Sequence, residues 1–128
     1  MSEIVVIPFQ NTTVPIAKAV VHNGVAYISG SVGFKPGTTE PISDDIREQA
    51  RETFRQLESA LLESGCSINS LMMVRVYLAD IRRYFAAMNE EYARWVGDHR
   101  PARTTVEAKL GIEGLLIEVD CIAAVDVA

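Results

Sequence analysis

Apolar residues recur along this chain of 128 residues with two different periods, and the points where the period changes outline its elements. Ile4 to Pro8 is a short apolar run that predicts a first strand. Ala17 to His22 and Val25 to Ser29 predict two more, separated by Asn23-Gly24. That dipeptide is a strong hairpin signal, because both turn positions need positive φ and these residues tolerate it. Gly30-Ser31-Val32-Gly33 then interrupts the alternation. Glycine inside a strand pattern marks a bulge, or a place where a ligand comes close to the backbone. Phe34 to Pro41 holds two prolines and a glycine and reads as a loop.

From there the period lengthens. Ile46, Ala50, Phe54, Leu57 and Leu61 follow helical spacing, with Ser43 or Asp44 as the expected cap and Gly65 as the stop. Leu71 to Ala79 alternates again, with Val74, Val76 and Leu78 on one side and Met73, Arg75 and Tyr77 on the other. Asp80 caps a second helix with the stripe Ile81, Phe85, Met88, Tyr92 and Trp95, which Gly97 ends. Ala102 to Leu110 and Leu115 to Val125 are the last strands, joined by Gly111-Ile112-Glu113-Gly114. The order β-β-β-α-β-α-β-β predicts a single α+β domain over residues 1–128. Its six-stranded mixed sheet carries two helices on one face. The other face is then bare, and a bare sheet face is expected to meet another subunit.

The last two strands pose the chemical question. Alternation puts Ala102, Thr104, Val106, Ala108 and Leu110 on one side, and Arg103, Thr105, Glu107 and Lys109 on the other. In the final strand Glu118 and Asp120 share a face opposite Ile117, Val119, Cys121 and Ala123. Both strands are therefore expected to carry their charges on one side of the sheet. Arg103 then has two readings. It is a cross-strand partner of Glu118 or Asp120, worth about 0–1 kcal/mol if exposed. Or it is an anion clamp in a subunit cleft, where its planar fork suits a carboxylate. Asp120 and Glu118 likewise form a solvated strand face or a pair able to orient or deprotonate water. Asn89, beside the second helix's apolar stripe, bonds backbone or reaches a ligand. Gly30 and Ser31 build a bulge or offer backbone donors to a small anion.

Composition narrows the rest. A net charge of −5 argues against a sequence-independent grip on nucleic acid, which needs clustered Lys and Arg. No run approaches the ~20 apolar residues of a membrane span. The start Met1-Ser2-Glu3 lacks the basic segment of a secretory leader. Cys66 and Cys121 make neither a disulfide framework nor a zinc site, and they suit a reducing, cytoplasmic setting. His22 and His99 are isolated, so no metal site is expected. Phosphate-loop, dinucleotide and nucleophile-elbow motifs are absent.

Pro101-Ala-Arg-Thr-Thr-Val-Glu107, followed by Leu115-Leu-Ile-Glu-Val-Asp-Cys-Ile-Ala123, resembles the signature of the RidA/YjgF family of reactive-intermediate deaminases. Ala26-Tyr-Ile-Ser-Gly30 is similar to the strand before that family's pocket loop, and Phe85-Ala-Ala-Met-Asn-Glu-Glu-Tyr92 to its second helix. The resemblance implies a chorismate-mutase-like fold and a homotrimer with a pocket at each subunit interface. It implies cofactor-independent hydrolysis of enamines and imines, such as 2-aminoacrylate, to 2-oxo acids and ammonia. By position, Arg103 matches the arginine that binds the substrate carboxylate, and Asp120 a glutamate that activates or holds water. Asn89 matches a pocket asparagine, and Gly30 and Ser31 a ligand-contacting loop.

Four positions depart from the family pattern. Ile16 stands where many members have tyrosine and cannot donate a hydrogen bond. Thr105 stands at an often reactive cysteine, and Gly33 where proline is common. Asp120 is one methylene shorter than glutamate. These changes leave a second expectation open, a non-catalytic module that binds small carboxylates. A third, ribonuclease activity, is disfavoured by the acidic balance.

Overall fold

A computed structural model of the chain describes residues 3–10 and 12–126; Met1 and Ser2, part of the start read above, lie outside them. The strands are β1 (Val5–Pro8), β2 (Ala17–His22), β3 (Val25–Val32), β4 (Leu71–Leu78), β5 (Ala102–Glu107) and β6 (Ile117–Ala124). The helices are α1 (Ile46–Glu63) and α2 (Ile81–Val96). The sheet order is β1-β2-β3-β6-β4-β5. Every neighbouring pair is antiparallel except β4 and β5, which α2 joins as a parallel crossover. This is the expected six-stranded mixed sheet with both helices on one face.

Local chemistry explains the boundaries. Asn23 and Gly24 both take positive φ, 51° and 75°, and close the β2–β3 hairpin. β3 runs past the expected Ser29 to Val32, because a bulge between Ile28 and Ser31 absorbs Gly30 and the ladder to β6 resumes. The cap of α1 is Asp45, one or two residues later than expected, and its carboxylate accepts from the Arg47 N–H. Ser43 supports it by accepting from the Asp45 N–H. Asp80 caps α2 as the sequence indicates. Glu107 adds a second brace, accepting from the Ile81 N–H at 3.0 Å. β5 stops at Glu107 rather than Leu110, so Ala108 to Leu110 belong to the loop.

The core lies between the helices and one sheet face: Phe54, Leu57 and Leu61 of α1, Met88 of α2, Val74, Val76 and Leu78 of β4, and Ile117, Val119 and Cys121 of β6. Phe54 stacks on Trp95, with ring centres 4.8 Å apart, tying α1 to α2. Glu91, 3% exposed, bonds Arg47 and Arg51 of α1 across the same seam and Arg94 on its own helix. Gln49 is fully buried and fully bonded: it donates to the carbonyls of Ser43 and Gly114 and accepts from the Leu116 N–H. It pins the β5–β6 loop to the start of α1. Gly33 explains its own departure from the family pattern. A Cβ there would lie 2.7 Å from the Gln49 carbonyl oxygen, so proline does not fit this approach of strand to helix.

Register corrects one expectation. Arg103 pairs with Val74, and Val74 with Cys121, so all three face the helices. Asp120 pairs with Arg75, on the opposite, bare face. The two C-terminal strands therefore do not carry their charges on one side, and an Arg103 bridge to Glu118 or Asp120 within one chain is excluded. The periodicity of β5 was right, but its apolar side (Ala102, Thr104, Val106) is the bare one. β5 is an edge strand, where alternation shows which residues share a face but not which face is covered.

Candidate functional site

Two clusters emerge, one on each face. On the covered face, Arg103 leaves the edge strand and lies along α2. Its Nη2 donates to Asn89 Oδ1 at 2.7 Å, and Nη1 points at the Met88 sulfur at 4.0 Å. Its guanidinium carbon lies 4.7 Å from the ring centre of Tyr92 and 5.8 Å from that of Phe85. It has no carboxylate partner among the described residues. Arg47, Arg51, Arg55, Arg75 and Arg94 all have one. Arg82, Arg83 and Arg100 lack one but are exposed. Arg103 is thus a half-buried cation with donors to spare, a costly arrangement unless an anion completes it. The bond from Arg103 also fixes the flip of Asn89: its oxygen faces the cation, leaving the Nδ2 donors free. Thr105, two residues along the same face, has a buried hydroxyl without a hydrogen-bond partner.

The bare face holds the second cluster. Glu118 is half-buried and has no hydrogen-bond or ion-pair partner among the described residues. Burial, with the nearby Asp120 carboxylate adding to it, raises its pKa above the ordinary carboxyl value. Gly30 lies against it: a Cβ at that position would come to 2.6 Å from Glu118 Oε2. Asp120 is committed elsewhere, accepting from Arg75 Nε at 2.6 Å and from the Tyr77 hydroxyl at 3.1 Å. Ser31 lies across from Val119, so the bulge turns it to the covered side, away from Glu118. Ile16 is exposed in the segment before β2.

The expected residues therefore separate into Arg103, Asn89 and Thr105 on one side and Gly30 and Asp120 on the other. Sequence reasoning put Glu118 and Asp120 on one face and named Asp120 for the chemistry, without seeing that Asp120 is paired and Glu118 is not. The signal it lacked is pairing, since Arg75 and Tyr77 occupy Asp120 only through the β4–β6 register. Neither thiol is poised for nucleophilic work, as burial pushes Cys121 up to about 12 and raises Cys66 as well. Among the described residues, no group of three His, Cys, Asp or Glu side chains gathers as a metal site, and no helix is long and apolar enough to cross a membrane.

The six-stranded α+β sheet covered on one face is a fold shared with solved proteins. A Yersinia pestis protein described as of unknown function, of the conserved Rid protein family, superposes with a TM-score of 0.87. It is 28% identical, over 96% of this chain and all of the other. The family model for endoribonuclease L-PSP matches residues 10–125, and the chain belongs to this family, also called RidA/YjgF. The mitochondrial protein mmf2 of Schizosaccharomyces pombe is 41% identical over 113 residues, 86% of this chain and 87% of that one. A human protein named 2-iminobutanoate/2-iminopropanoate deaminase is 28% identical over 109 residues, 85% of this chain and 79% of that one.

Proposed function

We propose that this protein is a cofactor-independent deaminase that hydrolyses 2-imino acids, and their enamine tautomers, to 2-oxo acids and ammonia. The observation that carries the reading is Arg103, half-buried, oriented by Asn89 and without an anion of its own. A substrate carboxylate supplies that anion. In our reading the free donors of Asn89 add to that hold, and the Thr105 hydroxyl, which has no hydrogen-bond partner, joins them once the ligand is in place. Water adds its oxygen to the imine carbon and a proton to nitrogen. The carbinolamine then loses its C–N bond, releasing ammonia and leaving the carbonyl. Glu118 is the group for these proton transfers: it is unpaired, and its raised pKa keeps a proton available at higher pH than an ordinary carboxyl. Asp120, held by Arg75 and Tyr77, acts from behind by strengthening that hold on the proton. The human relative's printed name supports the substrate class.

One chain cannot bring both clusters to one ligand, because the sheet separates them. A second copy laying its bare face against the β5 edge can, and closure of that contact around three copies gives the homotrimer. Tyr27 and Val106, exposed apolar residues on the bare face, suit such burial. Free, buried cysteines suit a reducing compartment, in our reading the cytoplasm. The test is ammonia release from freshly generated 2-iminopropanoate. Arg103→Ala should abolish the enzymatic rate while leaving the fold intact, and full activity in that variant would sink the reading. Calorimetric binding of 2-oxo acids without turnover would instead favour the non-catalytic binding module.

A further inference from the structure

Phe85, Met88, Asn89 and Tyr92 stand at i, i+3, i+4 and i+7 of α2, a single helical stripe, and all four touch the Arg103 side chain. An apolar stripe at helical spacing ordinarily marks a helix's core face. Only part of it is core. Met88 is fully buried and Tyr92 is 8% exposed, but Phe85 is 40% exposed, so burying apolar surface does not explain its place. Tyr92 is itself held firmly. It meets Phe54 edge-on at 5.9 Å and Trp95 edge-on at 6.1 Å, and those two rings stack on each other. The Tyr92 hydroxyl is buried with no hydrogen-bond partner, so the residue does not owe its position to that group. What it offers Arg103 is the face of its ring, at the shortest cation–ring distance in the described structure.

We propose that Tyr92 and Phe85 are positioning residues: two ring faces and the Asn89 amide fix the plane of the Arg103 guanidinium, leaving one edge open to a ligand carboxylate. The rings replace part of the hydration that the cation loses on burial, since the face of an aromatic ring is electron-rich. They also remove rotamer freedom before the ligand arrives, so less is lost on binding. This deepens the anion-anchor reading and rests on it for its ligand, but the geometry of the free protein can be tested without one.

The experiment has two arms. In the first, the Arg103 Nε–Hε signal of the ligand-free protein is followed by NMR and identified by its disappearance in Arg103→Lys. Tyr92→Leu should shift the signal and speed its exchange with water, whereas Tyr92→Phe, which keeps the ring, should leave it close to wild type. In the second arm, calorimetry with 2-oxobutanoate should show roughly 5- to 30-fold weaker binding in Tyr92→Leu, the range expected for a desolvated cation–ring contact. Tyr92→Phe should restore wild-type affinity. Phe85→Leu, at a half-exposed ring that the fold does not depend on, serves if Tyr92→Leu does not fold, and should shift both readouts in the same direction. An unchanged Nε–Hε signal in folded Tyr92→Leu or Phe85→Leu would overturn the proposal. So would a loss in Tyr92→Phe equal to that in Tyr92→Leu, since it would give the role to the hydroxyl. If the signal moves as expected but wild type binds no 2-oxo acid, the platform stands and the deaminase reading falls.

Discussion

At the scale of single residues, chemistry follows from what each charge is paired with. Arg103 and Arg75 are both strand arginines. Arg75 spends its charge on Asp120, and Arg103 touches only neutral groups. If Arg103 anchors a ligand carboxylate, its planar fork should matter as well as its charge. Arg103→Lys keeps the charge but loses the planar fork, and should weaken 2-oxo acid binding by about 1.5–3 kcal/mol, roughly 10- to 150-fold, as read by calorimetry. The two carboxylates can be separated in the same way. Glu118→Gln should remove the carboxyl limb from the pH profile of kcat/KM, a limb shifted up from the ordinary carboxyl value by burial and by Asp120. Asp120→Asn should keep that limb and move it down, because a neighbouring negative charge is gone. A profile indifferent to Glu118 would return the proton transfers to another group.

At the scale of elements, the two helices are joined along one seam by an aromatic stack and by a carboxylate hub. Three arginines hold the Glu91 carboxyl down to about 2, led by the bond from Arg51. A depressed carboxyl stabilises the fold where the group is ionised in both states. That contribution is complete above the unfolded value near 4.5 and is lost as pH falls through about 2. Glu91→Gln should therefore lower the melting temperature at neutral pH, and the gap to wild type should narrow as pH drops toward about 2. A gap independent of pH would mean that packing, not charge, is what Glu91 supplies. Gln49 is the matching neutral brace. Gln49→Leu leaves the Leu116 N–H and two carbonyls without partners, and should cost about 1–3 kcal/mol in denaturant unfolding.

At the scale of the whole molecule, the two clusters lie on opposite faces of the sheet, and the proposed function therefore requires an assembly of copies. If each pocket takes Arg103 from one copy and Glu118 from the next, two inactive variants can repair each other. Arg103→Ala mixed with Glu118→Gln, unfolded and refolded together, should regain part of the ammonia-releasing activity, since some mixed interfaces receive both intact residues. Light scattering on the same samples should give a mass near three chains. Activity that never returns in mixed assemblies of that mass would place both residues of a pocket within one chain, against the geometry described here.

The amino-acid pattern determined the order of elements, the Asn23-Gly24 hairpin, the interruption of the strand pattern at Gly30, the cap at Asp80 and the candidacy of Arg103, because each depends on neighbours in sequence. Alternation also sorted β5 correctly into two sets of residues. Only the tertiary structure decided which set the helices cover, since a period of two carries no sign and an edge strand has little burial to break the tie. It likewise decided that Asp120 is occupied and Glu118 free, and that Phe85 and Tyr92 attend a cation rather than only the core. Those facts depend on strand register and helix docking between residues far apart in the chain, where no local pattern reaches.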